Sequence, residues 1–279
     1  MTEKTLAAPF RFSGVALHTG AQVEVEVAPA GAGAGIVFVR DGVEIPALAE
    51  NVVETSRATV LGVRGTTVST VEHLLSALFG MHVDNARIAI SGPEVPVVDG
   101  SAQWFVGQIE RVGTRDLGVE RATLALDAPI VERDGDRLIV ALPADRFSVR
   151  CIVDFPHPVG SEYLALAIDE ATYAREVAGA RTFGYLHEVE ALRARGLAQG
   201  GSLENAVVFG PDGPLQTLRW SNEVVRHKML DLLGDLALVG ARPQCEIIAV
   251  KSGHALHARM SSRLRERLLS KPLSEVPTS

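Results

Sequence analysis

Apolar and polar residues alternate along three early stretches, TLAAPFRFSGVAL, AQVEVEVAPA and GIVFVR, each bounded by glycine or proline. A period of two marks a strand with one buried face, so these stretches predict antiparallel strands. The period then lengthens. Residues 71–81 and 101–113 carry apolar positions at helical spacing, with DNARIAIS (84–91) predicted as a strand between them. The second half starts again with strands at RATLALD, RLIVALP and FSVRCIVDF, joined through the turn formers Asp134-Gly135-Asp136. It closes with a predicted helix at 223–240, a strand at 244–253 and a helix at 254–270. Residue identity barely repeats, but the order of elements does. The pattern implies an internal duplication and an α+β fold: two similar domains, each a layer of helices on a mostly antiparallel sheet, forming a β-α-α-β sandwich. The domains are expected over 1–117 and 121–279, joined near 115–120. One continuous mixed sheet is the alternative.

The stretch from about 180 to 220 has no counterpart in the first half. It holds TFGYLHEVEALRARG and a glycine-rich run near 196–201, with Leu186, Val189, Leu192 and Leu197 as a candidate apolar strip. It reads equally well as one more helix on the sheet or as an insert lining a groove for an apolar substrate group.

The helix expected at 223–240 is apolar on nearly every side, through Val224, Val225, Met229, Leu232, Leu233, Leu236 and Leu238. Yet it also carries Arg226, Lys228 and a stripe of His227, Asp231 and Asp235 at i, i+4 and i+8. An isolated pair of this kind is usually a simple hydrogen bond, but charges on a buried helix need partners or a metal. Glu72-His73, at the start of the matching helix of the first half, supplies the missing imidazole. His73, His227 and Asp231 would make three protein ligands and leave zinc a fourth position for water, at a cleft between domains.

Each neighbouring residue has a structural and a chemical reading. Ser69-Thr70-Val71-Glu72 fits a capping box, with Ser69 as N-cap and Glu72 reaching back to it. Beside a ligand histidine, however, Glu72 can take a proton from attacking water. Lys228 can stabilise a developing oxyanion. His254 follows the turn Lys251-Ser252-Gly253, where it is either a capping residue or an acid held by Asp235. His18, in SGVALHTG, is noted, while His157, His187 and His257 gain nothing from spacing.

Composition narrows the class. The 279 residues carry a net charge of −7, which argues against a nucleic-acid partner. Apolar content of 47% with 22% charged residues is ordinary for a globular protein, and no run approaches the roughly 20 apolar residues of a membrane span. The start lacks the basic-then-apolar order of a signal peptide, so a cytoplasmic location is expected. Cys151 and Cys245 lie in strand-like stretches and are expected as buried thiols. From residues alone the chain is a metal-dependent hydrolase of an amide or ester.

Two motifs carry a resemblance that goes further. Thr70-Val71-Glu72-His73-Leu74 and Val225-Arg226-His227-Lys228-Met229-Leu230-Asp231, followed by Leu233-Gly234-Asp235, resemble the zinc-site motifs of the UDP-3-O-acyl-N-acetylglucosamine deacetylases of lipid A synthesis. Further matches run in order through SGVALHTG (13–20), VDN (83–85), EVPVVDGSA (94–102), ARTFG (180–184), GGSLENA (200–206) and KSGHAL (251–256). The resemblance implies His73, His227 and Asp231 as ligands of one zinc per chain, with iron(II) as an alternative occupant in the cell. It implies Glu72 as general base and His254 as acid or electrostatic partner oriented by Asp235. Lys228 and Thr182 would stabilise the oxyanion, and Phe183 and Lys251 would contact the sugar and nucleotide phosphates. The segment 182–212 would be the passage for the fatty acyl chain. The expected partner is a small molecule, an acylated UDP-amino sugar, and the expected state is a monomer. Ala16, Glu204, and His257 with Ala258 depart from the usual pattern, and 158–169 looks short; none is a catalytic match. The reaction implied is hydrolysis of the C2 acetamide to acetate and free amine, with His254 or Glu72 protonating the departing nitrogen. A zinc deacetylase of another N-acetyl sugar nucleotide, or a non-catalytic binding protein of the same fold, are the competing readings.

Overall fold

The computed structural model describes residues 1–270; the last residues of the expected second domain, 271–279, lie outside the described ones. In the first half, β1 (Phe10–Val15), β2 (Gln22–Pro29), β3 (Ile36–Arg40), β4 (Val43–Pro46) and β5 (Ala86–Ile90) form a sheet in the order β1-β2-β5-β3-β4. In the second, β6 (Ile130–Asp134), β7 (Arg137–Pro143), β8 (Ser148–Phe155), β9 (Gly160–Ala167) and β10 (Arg242–Val250) take the order β6-β7-β10-β8-β9. The first sheet is antiparallel except for one parallel pair, β3 with β5; the second has the matching pair, β8 with β10, and a short sixth strand, Thr123–Ala125, also parallel to β10. The recurring pattern of elements thus corresponds to a recurring topology. A parallel pair needs a crossover, and in each half the crossover contains the helix that carries the candidate ligands.

Those helices are α1 (Glu72–Gly80) and, after α2 (Gln103–Val112), α3 (Glu170–Glu176) and α4 (Leu186–Ala194), α5 (Glu223–Leu236); α6 (His254–Ser270) ends the described chain. Every residue of α1 is buried, as is every residue of α5 except Arg226 and Lys228. α1 packs on α5, and α5 packs in turn on β8, β9 and α6, within one continuous apolar core. The alternation read from the sequence decides which strand residues join that core. Val23, Val25 and Val27 of β2, and Cys245, Ile247 and Ala249 of β10, point inward. Cys151 and Cys245 are buried free thiols, each pushed up to about 12 by burial.

At the joint expected near 115–120, Thr114–Glu120 forms a strand paired antiparallel with Thr2–Leu6. Two features differ from the sequence reading. The helix expected to reach 240 ends at Leu236 and tightens into a 3-10 turn, Ala237–Val239, closed by Gly240 at φ +72°. The stretch near 180–220 is not a helix packed on a sheet. Phe183–Tyr185, Val207–Gly210 and Gly213–Pro214 make a small sheet of their own, and α4 beside it buries none of its residues. No helix among the described residues is long and apolar enough to cross a membrane.

The approach of α1 to α5 depends on Gly234. A Cβ there would lie 2.1 Å from the backbone oxygen of Glu72, too close for any side chain. Gly234→Ala should therefore force the helices apart, costing about 1–3 kcal/mol in denaturant unfolding, with the loss of metal content tracking the shift.

Candidate metal centre

His73 stands in the first turn of α1, and His227 and Asp231 stand one turn apart on α5. Asp231 Oδ1 lies 3.4 Å from His227 Nε2 and 3.8 Å from His73 Nε2, and the three donor atoms fall within 4.8 Å of one another. Donors about 3.3–3.5 Å apart are what a tetrahedral ion with bonds near 2.0–2.1 Å requires. The surrounding bonds leave these atoms available. The carbonyl of Ala180 accepts from His227 Nδ1 at 3.0 Å, which puts the proton on Nδ1 and a lone pair on Nε2. Lys228 Nζ donates to Asp231 Oδ2 at 2.7 Å, so the other carboxylate oxygen turns to the imidazoles. His73 Nδ1 is buried without a hydrogen-bond partner, and no hydrogen bond among the described residues occupies its Nε2, which lies 3.8 Å from Asp231 Oδ1. All three residues are at most 3% exposed. The donor set fits a divalent cation of borderline softness.

Charge states follow from burial and neighbours. Burial, then the facing His227, pushes His73 down to about 3, so it is a neutral donor. Burial works against ionisation of Asp231, but His227, Lys228, His254 and His73 together hold its carboxyl well below the usual range. Glu72 is raised to about 8 by burial, with Asp235 and Asp231 adding to the shift and His254 opposing it. A cation at the trio would pull that carboxyl back toward ionisation.

Glu72 makes no capping box. α1 begins after Val71, and Thr70 adopts a left-handed φ of +56°. Ser69 bonds the carbonyl of Pro93 through both its backbone N–H and its hydroxyl. The Glu72 carboxylate instead accepts the backbone N–H of Thr59 on Oε2 at 3.1 Å. The sequence motif was compatible with a cap; the reversed backbone at Thr70 prevents it.

His254 opens α6 and donates from Nδ1 to Asp235 Oδ2 at 2.8 Å, with its Nε2 4.0 Å from Asp231 Oδ2. Burial disfavours its charge, but Asp235, Glu72 and Asp231 outweigh burial and raise it to about 9. Asp235, fully buried, is held down to about 2 against burial by His254 and His257. Phe183 sets its ring edge-on to His227 at 6.1 Å between centroids and packs on Phe155 and Phe209. Thr182 is bound through its backbone, donating to Gly100 and accepting from Val207. Lys251 is not in the cluster. It is partly exposed, with φ +50°, and pairs with Asp154 at 2.7 Å and Asp136 at 3.1 Å.

A family model for UDP-3-O-acyl N-acetylglycosamine deacetylase matches residues 3–266. The chain belongs to that family. Its relatives include the UDP-3-O-acyl-N-acetylglucosamine deacetylase of Syntrophotalea carbinolica, 44% identical over 269 residues that span 94% of this chain and 87% of that one. The Myxococcus xanthus enzyme of the same name is also 44% identical, spanning 92% and 84% of the two chains. That of Phenylobacterium zucineum is 44% identical across 96% and 94%. The deacetylase family is one of metalloenzymes, and the buried trio is a metal-type cluster in this chain.

Three further buried side chains have no signature in spacing. Thr59, from a loop, donates its hydroxyl to Asp235 Oδ1 and its backbone N–H to Glu72. His257 bonds the same Asp235 oxygen as His254. Glu94, fully buried, accepts the backbone N–H groups of His18 and Thr19 and the hydroxyls of Thr19 and Thr70, all at 2.8–3.0 Å. Glu94 was legible only as part of a family motif. Its carboxylate ties the 16–20 loop to the residues just before α1. The same loop accepts Gln199 and Gly200 backbone bonds from the segment beyond α4. Glu94→Gln would set an amide N–H against one of four donors, so it should cost about 1–3 kcal/mol and speed exchange of the His18 and Thr19 amide protons.

Proposed function

We propose that this chain is a zinc-dependent deacetylase that hydrolyses the acetamide of UDP-3-O-acyl-N-acetylglucosamine to acetate and the free 2-amine, the committed step of lipid A biosynthesis. The observation that carries the reading is one buried locus in which two imidazoles and a carboxylate converge beside a second carboxylate, Glu72, and a charged imidazole, His254. Family membership supplies the substrate class, since the relatives carry that substrate in their names.

His73, His227 and Asp231 would hold the zinc, which when bound supplies Lewis acidity toward water and an amide carbonyl. Glu72 Oε1, free of the Thr59 bond that occupies Oε2, takes the proton from attacking water. His254 keeps its Nδ1–H on Asp235 and presents Nε2–H to the oxyanion or the departing nitrogen. The proton reaches that nitrogen from His254 or from Glu72. Thr182, its backbone bonded to Gly100 and Val207, and Lys228, which also neutralises the outer oxygen of Asp231, are assigned to the oxyanion. Lys251, partly exposed, is assigned to the phosphates, and its two carboxylate partners must yield to them. Phe183 walls the sugar site beside His227. The domains assigned to 1–117 and 121–279 flank this locus. The acyl chain is assigned to the segment 182–212, where Leu186 and Leu203 stand about half exposed, at 48% and 54%.

Acetate release from the 3-O-acylated nucleotide tests the reading. It should stop with a chelator and return with zinc. Glu72→Gln should retain metal but lose about 100-fold or more in kcat, whereas Ala at His73, His227 or Asp231 should lose the metal itself. Equal rates on acylated and non-acylated nucleotides would refute the acyl assignment.

A further inference from the structure

His257 gained no role from spacing, yet it is fully buried and has both ring nitrogens engaged. Its Nδ1 lies 2.9 Å from Asp235 Oδ2, and its Nε2 lies 2.8 Å from Ser252 Oγ. Asp235 is ionised and can only accept, so Nδ1 carries the proton. Burial keeps the ring neutral, and Nε2 therefore accepts from the Ser252 hydroxyl. A directed chain results, from the Ser252 hydroxyl through His257 to Asp235. Oδ2 of Asp235 receives His254 and His257 together, while Oδ1 receives Thr59.

Three bonds, two from α6 and one from the loop of Thr59, leave the carboxylate little freedom to turn. Without His257, Thr59 would still hold Oδ1, but Oδ2 would keep one partner, and that partner is the group being positioned. Ser252 also belongs to the turn that delivers His254 into α6. His257 thus holds both ends of the short path to His254, its carboxylate and its backbone. Resting on the deacetylase reading above, we propose that His257 is a positioning residue that locks Asp235, and through it the direction of His254 Nε2, for the chemical step. It touches no reacting atom.

The test compares His257→Leu and His257→Asn in the zinc-loaded protein. The Asn amide can put an N–H where Nδ1–H stands; Leu fills space without one. His257→Leu should lower kcat about tenfold or more with KM within about twofold, and His257→Asn should recover most of the loss. In an Asp235→Asn background the Leu change should cost less than about threefold, because its route is already broken. A readout free of substrate accompanies these rates: the His254 Nδ1 proton, observed by NMR in histidine-labelled protein, should exchange faster in His257→Leu. Unchanged kcat, equal losses in Leu and Asn, or full additivity with Asp235→Asn would each overturn the proposal. If His257→Leu fails to fold, Ser252→Ala decides: a kcat loss of about two- to fivefold at constant KM supports it, and no loss overturns it. Absence of acetate release from the unaltered protein would count against the proposed function, whereas the proton-exchange comparison would still test His257.

Discussion

The contact between α1 and α5 is the constraint on which the site depends. Each helix comes from a different half of the chain and is buried along nearly its whole surface, so neither can find its position without the other. The backbone of Glu72 lies against Gly234, and that spacing brings His73 of one helix to the imidazole and carboxylate of the next. Apolar packing alone would bring the helices together; the missing side chain at 234 decides how closely. Because the donors are on rigid buried helices and not on loops, their separation is set before any ion arrives.

Burying this many ionisable groups is costly, and the structure offsets the cost by giving nearly every charge a defined partner. Lys228 takes the outer oxygen of Asp231, Arg181 takes Glu223 at the start of the same helix, and Asp235 collects two imidazoles and a hydroxyl. Among the described residues, His73 Nδ1, His18 Nδ1 and Arg40 Nε are buried without a hydrogen-bond partner. The network is polarised along α5, with a structural ion pair at its start, the metal-type trio in the middle, and the Asp235 hub near its end. Successive turns of one helix thus meet three different surroundings.

Much of this was legible in the residues. Period-two alternation marked the strands, helical spacing marked α1, α2, α5 and α6 to within a few residues, and elements recurred in the same order in both halves, although the shared strand order of the two sheets was visible only in the structure. The His227, Asp231 and Asp235 stripe was visible because charges on an otherwise apolar helix violate the pattern. The capping box at Ser69 failed because the left-handed Thr70 turns the chain, and nothing in the spacing announced that 115–120 pairs with the distant N-terminal residues. Local pattern contains neither fact.

What the sequence by itself determined was the inventory: which faces must be buried, which buried faces carry charge, and which residue types can bind a cation or move a proton. Those properties depend on spacing within one element, where the backbone period sets the geometry. Tertiary structure alone decided the partners. Thr59 meets Asp235 across 176 positions and His254 across 195, His257 meets Asp235 across 22, and Glu94 ties Thr70 to the 18–19 loop. A hydrogen bond acts over about 3 Å while the chain distance between its ends is unconstrained, so only the packed fold can say which carboxylate meets which hydroxyl.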